Sequence, residues 1–377
     1  MMKLFQRLLL AAVALLAVGC ATVGDVPSVP RSAASAGSYP IVAESSYTTS
    51  ADGLSVTDNV TGLVWQRNYA AGLTGTLYWV EIQAKVEAMN AKKVGGYSDW
   101  RVPTIKELYS LWRGPLGWPY LDATTFPLTY WGEWDLSHAI FWSSTKYTGV
   151  QGTITDGMPG SDPGTELAFG VNFGTGHIKG YSTKVGPRHF FRAVRGNLAY
   201  GVNLFQDNHD GTVTDQATGL MWQQGDSGVG MDWEKAHTYA DAQNKANYLG
   251  HNDWRLPTNK ELQTLVDYTR SPGATDPARV GPAIDPLFSC TAITNEVGRA
   301  DYPWYWTSTS ARGKANEPDT SAWYVAFGRA VNEKGEDLHG AGAVRFDAKV
   351  LVEGKRSQDA ERTLNYVRLV RNSPEGK

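Results

Sequence analysis

The chain has 377 residues, of which 42% are hydrophobic and 19% are charged, and its formal net charge at pH 7 is −3. This composition is typical of a well-packed soluble body, and the length allows two domains of about 150 residues, each able to bury its own core. The mildly acidic charge excludes electrostatic binding of nucleic acid or of an acidic polysaccharide over the whole surface.

The N-terminus is predicted to be a secretory signal over 1–19. Lys3 and Arg7 precede an apolar run that is short for a membrane span, so an uncleaved anchor helix is the weaker alternative. The run ends in Ala-Val-Gly-Cys20, which resembles the lipobox of bacterial lipoproteins, although alanine stands where leucine is commonest. This resemblance implies cleavage before Cys20 and acylation of that residue. Because Ala21 follows, and not Asp, the outer membrane is the expected destination in an organism with two membranes.

The next segment, 20–45, is predicted to be the acylated cysteine and a flexible linker. It consists largely of Ala, Ser, Gly, Pro and Val, and a coil of this length reaches roughly 25 Å on average. The folded part can therefore work clear of the lipid head groups. Loss of the signal would take the net charge to −5, because it removes two of the 35 basic residues. Cys290 would then be the only cysteine without a lipid, so no internal disulfide is expected.

The rest of the sequence is a tandem duplication. The motif Thr-Gly-Leu-x-Trp-Gln at 61–66 returns 157 residues later, at 218–223. The motif Asp-Trp-Arg-x-Pro-Thr-x-Lys-Glu-Leu at 99–108 returns after 154 residues. Trp-(Ser/Thr)-Ser-Thr and Arg-x-Val-Arg then follow in the same order in both halves. Because these offsets have the length of whole domains, the four blocks predict two domains, over 46–198 and 203–373.

Each half is predicted to be an α+β domain with two helices and antiparallel strands. It opens with a hairpin signal, at 51–53 or 209–211, followed by the Thr-Gly-Leu-x-Trp-Gln strand. Apolar residues at helical spacing from Trp79 to Met89 predict the first helix, and Asp232 can cap its counterpart. A capping box predicts the second helix of each half. The sequences of the two halves then differ, and they become similar again at the strands that follow.

The repeated motifs are predicted to specify caps, strands and core, and not chemistry. Thr104 with Glu107, and Thr258 with Glu261, have the spacing of capping boxes, and the proline before each threonine keeps the preceding arginine extended. The motif residues to which we assign this structural role are Trp65, Trp100, Arg101, Thr104, Glu107, Trp142, Arg195, Trp222, Trp254, Arg255, Thr258, Glu261, Trp306 and Arg371.

The four ordered motifs resemble those of the bacterial domain-of-unknown-function family 1566, which includes the C-terminal domain of the Legionella collagen-like protein. The resemblance covers roughly 50–196 and 205–372. The segment Arg-x-Pro-Thr-x-x-Glu is also similar to a stretch of the formylglycine-generating enzymes, which implies two tandem C-type-lectin-like domains. Those enzymes hold copper with a pair of cysteines. Since Cys290 alone cannot build that site, no cofactor is expected.

Two short segments resemble calcium sites and are better explained as turns. The segment 207–211 lacks the remaining ligands and the terminal glutamate of a calcium loop. Glu317-Pro318-Asp319 resembles the sugar-binding triplet of C-type lectins, but the Trp-Asn-Asp that should follow is absent. The seven histidines have no ligand spacing, and the sequence contains neither Gly-x-Ser-x-Gly nor a phosphate loop. No metal ligand or catalytic residue is therefore assigned.

The divergent loops carry the ligand-binding candidates. Aromatic residues over 112–142 alternate with Gly, Pro and carboxylates, a composition with which proteins bind sugar rings or partner chains. The alternative is that these rings cover the core beneath a long loop. A smaller version occurs at 301–305. The candidates are Trp118, Tyr120, Trp131, Glu133, Trp134, Asp135, Tyr302 and Trp304.

Three classes of function remain open. The first is a non-enzymatic, membrane-anchored envelope lipoprotein that binds a glycan or a protein, or acts in adhesion, through its loop face. The second is a structural or assembly lipoprotein whose aromatic loops dock on a neighbouring subunit. The third is a novel enzyme that uses Glu133 and Asp135, although these carboxylates have no identifiable partner set. The expected partners are the membrane, through the lipid, and a glycan or an envelope or surface protein.

Overall fold

A computed structural model describes residues 46–69, 76–128, 137–149, 166–183, 188–312, 319–350, 360 and 362–374. The predicted signal, the predicted acylation site Cys20 and the loop residues 129–136 lie outside these ranges. The described chain is a mixed α+β structure, as predicted, and all pairings between its named strands are antiparallel. Within these ranges every helix is too short or insufficiently apolar to span a bilayer.

The described part of the first repeat contains seven strands and two helices. The strands are β1 (Tyr47–Thr49), β2 (Ser55–Asp58), β3 (Leu63–Gln66), β4 (Ile140–Lys146), β5 (Leu167–Asn172), β6 (Ile178–Ser182) and β7 (Val194–Gly196). The helices are α1 (Ile82–Ala91), which a 3₁₀ turn at Trp79–Glu81 precedes, and α2 (Ile105–Tyr109). The four residues of the predicted apolar stripe, Trp79, Ile82, Val86 and Met89, are all buried.

The second repeat has the same order of elements, with one additional hairpin among the described residues. The strands are β8 (Phe205–Asp207), β9 (Thr212–Asp215), β10 (Leu220–Gln223), β11 (Ile293–Thr294), β12 (Ala300–Asp301), β13 (Trp304–Ala311), β14 (Ser321–Ala326), β15 (Val344–Ala348) and β16 (Val370–Asn372). The helices are α3 (Trp233–Lys245) and α4 (Asn259–Thr264). Asp232 caps α3 as predicted, because its side chain accepts the N–H of Lys235 at 2.8 Å.

The Asp-x-x-Thr-Gly segment before β3 forms the turn that joins β2 to β3. Asp58 Oδ1 accepts the N–H groups of Val60 and Thr61 at 2.9 and 3.2 Å. Gly62 then adopts a φ of +70°, which a side chain would disfavour, and Gly219 adopts the same φ in the second repeat. The first half of the repeated motif therefore specifies a turn.

The two predicted capping boxes are confirmed. Thr104 Oγ1 accepts the N–H of Glu107 at 3.2 Å, and Glu107 Oε2 accepts the N–H of Thr104 at 2.8 Å. The fully buried Glu107 carboxylate also accepts hydrogen bonds from both terminal nitrogens of Arg101, at 2.7 and 2.9 Å. The second repeat has the same arrangement, formed by Arg255, Thr258 and Glu261. The arginine and glutamate of this motif therefore hold a strand-to-helix junction together.

Part of the hydrophobic core lies within each repeat, and part is formed by both repeats together. The six motif tryptophans are at most 2% exposed: Trp65, Trp100, Trp142, Trp222, Trp254 and Trp306. One apolar cluster lies within the first repeat around α1, and a second lies within the second repeat around α3. The largest cluster contains residues of both repeats, so the duplicated halves fold onto a common centre.

The repeats meet along a seam with pseudo-twofold symmetry. Strands from both halves form one six-stranded sheet in the order β13-β14-β15-β6-β5-β4, in which Ile178 pairs with Val344 at the centre. Lys106 Nζ donates to the carbonyl oxygen of Thr264 at 2.6 Å, and its motif equivalent Lys260 donates to the carbonyl oxygen of Ser110 at 2.6 Å. Such reciprocal contacts between equivalent surfaces are typical of an isologous dimer interface.

A buried histidine makes the stability of this fold dependent on pH. The His189 ring is 3% exposed, and its centroid lies 4.6 Å from that of Trp142 and 4.7 Å from that of Tyr181. Burial, with a smaller contribution from His138, lowers the pKa of His189 to about 3. The unfolded chain therefore binds a proton between pH 6.5 and pH 3 that the folded chain does not bind, so stability falls as the pH decreases through this window.

We expect the free energy of unfolding to fall by about 3 kcal/mol between pH 7 and pH 4.5 through this group alone. His189→Gln should remove this part of the dependence, as measured by urea unfolding at both pH values. The exposed His209 provides the matched control, and His209→Gln should keep the wild-type dependence. An unchanged difference between the two pH values in the His189 variant would contradict the assignment.

Candidate ligand-binding site

The aromatic loop of the first repeat lies largely in the seam. Tyr120 is completely buried, and its hydroxyl donates to the carbonyl oxygen of Arg312 at 2.5 Å. The ring stacks on Trp112 with a centroid distance of 5.5 Å and meets Trp323 of the second repeat edge-on at 5.4 Å. The ligand-facing prediction for Tyr120 is therefore wrong, because both its ring and its hydroxyl are used in contacts between the repeats.

Trp304 is also a core residue. Its ring is fully buried and stacks on Tyr324 with a centroid distance of 4.6 Å and an interplanar angle of 2°. Its Nε1 donates to the carbonyl oxygen of Arg329 at 2.9 Å, and the guanidinium of Arg362 lies 4.1 Å from the ring. The ligand-facing prediction for Trp304 is wrong, because neither face of the ring is free to bind a ligand.

Two of the candidates within the described ranges remain partly exposed. Trp118 is half-buried and packs against the shared core, and Tyr302 is half-buried just before β13. The other four candidates, Trp131, Glu133, Trp134 and Asp135, lie outside the described residues, and their assignment stays a prediction.

The segment 207–211, which resembles a calcium loop, is the tight turn between β8 and β9. Asp210 Oδ1 accepts the N–H and the hydroxyl of Thr212 at 2.9 and 2.6 Å. This carboxylate therefore stabilises the hairpin, as the turn interpretation predicted. Over the described ranges, no group of three or more His, Cys, Asp or Glu residues could hold a metal ion.

A cleft of about 350 Å³ opens where the repeats meet. The start of α2 with Lys106 lines one side, and the chain after α4 with Asp267 and Tyr268 lines the other. Phe205, at the start of β8, and Asp285 complete the wall. The cleft thus combines apolar rings, hydroxyl groups, two carboxylates and an ammonium group.

Lys106 fixes the geometry of this cleft. Its Nζ donates to Asn203 Oδ1 at 2.7 Å in the connection between the repeats, and to the carbonyl oxygen of Thr264 at the end of α4. One side chain thereby joins the first repeat, the connection and the second repeat. The two walls are held at a fixed separation before any ligand arrives.

The two carboxylates of the cleft are each held by one oxygen. Asp267 Oδ1 accepts the N–H and the hydroxyl of Thr269 at 2.9 and 2.7 Å. Asp285 Oδ1 accepts the N–H of Leu287 at 2.9 Å. Because these bonds use only the first oxygen of each group, the second oxygen can accept a hydrogen bond from a ligand hydroxyl. The cleft can therefore orient a ligand that carries several hydroxyl groups.

The sequence did not single out these cleft residues. Lys106 belongs to a repeated motif and was assigned with its neighbours to a helix start, whereas Asp267 and Asp285 stand in loop sequence without a motif. The cleft forms only when the two repeats pack together, and no local pattern reports that event. Lysine recurs at positions 106 and 260, but so does the rest of the motif, and the recurrence does not distinguish a contact between the repeats from a helix start.

Comparison with known proteins identifies the repeated unit. The family model of the Lcl C-terminal domain matches residues 54–195 and 211–371, which together make up most of the chain. No curated protein is similar enough to the chain to count as a match. The two matched ranges contain the capping boxes and the six buried motif tryptophans, whereas Phe205 of the cleft lies between them. The chain therefore belongs to the Lcl C-terminal domain family and carries two tandem copies of that domain.

Proposed function

We propose that the protein is a non-enzymatic envelope lipoprotein that binds a small polar ligand, such as one residue of a glycan, in the cleft between its repeats. The cleft itself carries this inference. Its volume of about 350 Å³ lies at the lower end of the range of small-molecule sites, and such sites often occur between domains.

The lining of the cleft fits a sugar ring. Aromatic rings pack against the apolar face of a sugar, and carboxylates accept hydrogen bonds from its hydroxyl groups. Phe205 offers the ring, and Asp267 and Asp285 offer the carboxylates. Since Lys106 already holds the two walls together, little ordering is needed when the ligand binds.

We also propose that an acylated Cys20 attaches the protein to a membrane, the outer one in an organism with two membranes. The charged start, the short apolar run and the small residues before Cys20 support this attachment. A C-type-lectin-like arrangement within each repeat belongs to the same proposal, and the short similarity to the formylglycine-generating enzymes supports it. The protein would then present its cleft to a glycan on an envelope or surface partner.

We expect the soluble form beginning near Ser38 to retain glycans on an array and to lose them when the cleft carboxylates are neutralised. Asp267→Asn and Asp285→Asn should each weaken binding about 10- to 100-fold, because a hydrogen bond to a charged group contributes about 1.5–3 kcal/mol. Binding constants from calorimetry with the best array ligand would measure this loss.

Asp241→Asn is the matched control, because Asp241 is exposed on α3 and does not line the cleft. This variant should bind like the wild type. Absence of any glycan above background would count against sugar binding. Loss of binding in Trp131→Ala and Trp134→Ala, with unchanged binding in the two cleft variants, would move the site to the divergent loop.

A further inference from the structure

The first arginine of each Arg-x-Val-Arg motif is completely buried, at position 192 in the first repeat and 368 in the second. In the second repeat, Arg368 Nη1 donates to the carbonyl oxygens of Gln223 and Gln224 at 3.0 and 2.6 Å. Its Nη2 donates to the carbonyl oxygen of Ser289 at 2.8 Å and contacts Cys290 Sγ at 3.5 Å. Both terminal nitrogens of this guanidinium therefore have partners, whereas its buried Nε has none within the described ranges.

The equivalent guanidinium in the first repeat is only half satisfied. Arg192 Nη1 donates to the carbonyl oxygens of Gln66, at 2.6 Å, and of Arg67. Nε and Nη2 of Arg192 are buried and have no hydrogen-bond partner within the described ranges. These two nitrogens lie on the same edge of the planar group. That edge can bind the two oxygens of a carboxylate side by side.

Three other arginines of this chain use the same edge in this way. Nε and Nη2 of Arg195 bind the two oxygens of Asp99 at 2.7 and 3.1 Å. The same atoms of Arg371 bind Asp253 at 2.6 and 3.1 Å, and those of Arg362 bind Glu296 at 2.6 and 2.8 Å. A carboxylate is therefore the group that fits the open edge of Arg192.

The sequence after the shared Trp-Gln gives the two buried arginines surroundings of different charge. The second repeat continues Gln224-Gly225-Asp226, and the first continues Arg67-Asn68-Tyr69. Asp226 accepts hydrogen bonds from Tyr305 at 2.6 Å and from Thr291, and so places a negative charge in the pocket of Arg368. The first repeat has a tyrosine at the position of this carboxylate and a second arginine at the position of the glutamine.

The pKa values of the two arginines reflect this difference. Burial lowers the pKa of Arg192 to about 9; Tyr69 opposes this shift, and the neighbouring Arg67 adds to it with a smaller effect. Burial also opposes the charge of Arg368, but Cys290, Tyr305 and Asp226 together raise its pKa above the ordinary value. Within the described ranges, the buried charge of Arg192 therefore has no carboxylate partner to compensate it.

Three aromatic rings surround the guanidinium of Arg192 and offset only part of the cost of its buried charge. The rings of Tyr69, Phe126 and Phe141 lie with their centroids 5.7, 5.0 and 5.5 Å from the guanidinium carbon of Arg192. A buried charge among apolar groups is unfavourable unless it is paired. Arg67, which adds a second positive charge beside Arg192, is only half-buried, and its own buried Nε lacks a partner within the described ranges.

We propose that the Arg192 pocket of the first repeat is a binding site for the carboxylate group of a small ligand, which occupies the Nε and Nη2 edge with Arg67 beside it. The ligand supplies the negative charge that Asp226 supplies in the second repeat. This site is separate from the cleft between the repeats, and it does not depend on the proposed binding of glycans there.

Acetate is the probe, and acetamide is its neutral counterpart of the same shape. The melting temperature of the soluble form should rise with acetate in a saturable manner, by about 2 °C, in a chloride buffer of constant ionic strength. Acetamide should give no rise. Arg192→Met and Arg67→Gln should each abolish or strongly reduce the response to acetate. Arg67→Gln keeps the test decisive even if Arg192→Met does not fold, because residue 67 is half-buried and its replacement does not open the core.

The double variant Arg67→Gln with Tyr69→Asp transfers the charges of the second repeat into the first. It should no longer respond to acetate, because its own carboxylate supplies the negative charge beside Arg192. Asp267→Asn in the cleft should keep the full response, which separates failure of this site from failure of the glycan site. A wild-type response to acetate no larger than that to chloride or acetamide, or a full response in Arg67→Gln, would overturn the proposal.

Discussion

Glu107→Ala is expected to lower the free energy of unfolding by about 3–5 kcal/mol, because removal of one partner leaves the other charge of a buried pair uncompensated. The Glu107 carboxylate is completely buried and accepts three hydrogen bonds, two from Arg101 and one from the N–H of Thr104. Its loss thus removes an ion pair and half of a capping box together. Urea unfolding followed by tryptophan fluorescence would measure the change.

The double variant Arg101→Ala with Glu107→Ala provides the control. Since each single variant leaves the other partner unpaired, the double variant should lose less stability than the sum of the two single losses. Glu261→Ala should reproduce the effect in the second repeat, where the same three bonds are present. A loss below about 1 kcal/mol in Glu107→Ala would show that the motif is not the structural junction described here.

Trp323→Ala is expected to have an effect of similar size and to weaken the connection between the repeats. Trp323 is fully buried in the second repeat, and its ring meets Trp112 at 5.5 Å and Tyr120 at 5.4 Å, both in the first. Truncation of a buried tryptophan typically lowers stability by about 3–5 kcal/mol. Because these contacts cross the seam, we expect the single unfolding transition to broaden or to divide into two.

Trp306→Ala is the matched control for this experiment. Trp306 is equally buried, but it lies in the apolar cluster that belongs to the second repeat alone. There its Nε1 donates to the carbonyl oxygen of Met231 at 2.8 Å. Its truncation should lower stability without selectively loosening the seam. Calorimetry would compare the two variants, and a sharp single transition in Trp323→Ala, with a shape equal to that of the control, would contradict the role of the ring between the repeats.

The local parts of this fold could be predicted because their signals are short-range. The spacing from Trp79 to Met89 indicated a buried helix face, and the distance of three residues between Thr104 and Glu107 indicated a capping box. Both features depend on residues within one or two helical turns. The duplication itself needed only the comparison of the chain with itself.

The seam could not be predicted, because it joins residues that are far apart in the chain. The Tyr120 hydroxyl bonds to the carbonyl oxygen of Arg312, and Ile178 pairs with Val344. No periodicity in either segment indicates its partner. The aromatic composition around Tyr120 did suggest a surface for contact with another molecule. In the structure, the surface that it contacts belongs to the second repeat of the same chain.

The sequence shows that the two repeats differ in charge after the shared Trp-Gln, but it does not show that this difference lies beside a buried arginine. Tyr69 and Asp226 follow the same motif by the same distance. Only the structure places each of them beside a buried arginine from the other end of its repeat, 192 or 368. A search that compares charges at equivalent positions of the repeats would have found this site.

The twofold seam also bears on how the two copies could diverge. In a dimer of identical chains, one mutation changes both subunits at once. A substitution that improves the function of one subunit is then also present in the other, where the original residue could be the better one. Fusion of the two halves into one chain removes this constraint. The copy with Asp226 could then carry a carboxylate beside its buried arginine, while the copy with Tyr69 carries none at the equivalent position. Covalent linkage thus gave this protein an asymmetry that an assembly of identical subunits cannot encode.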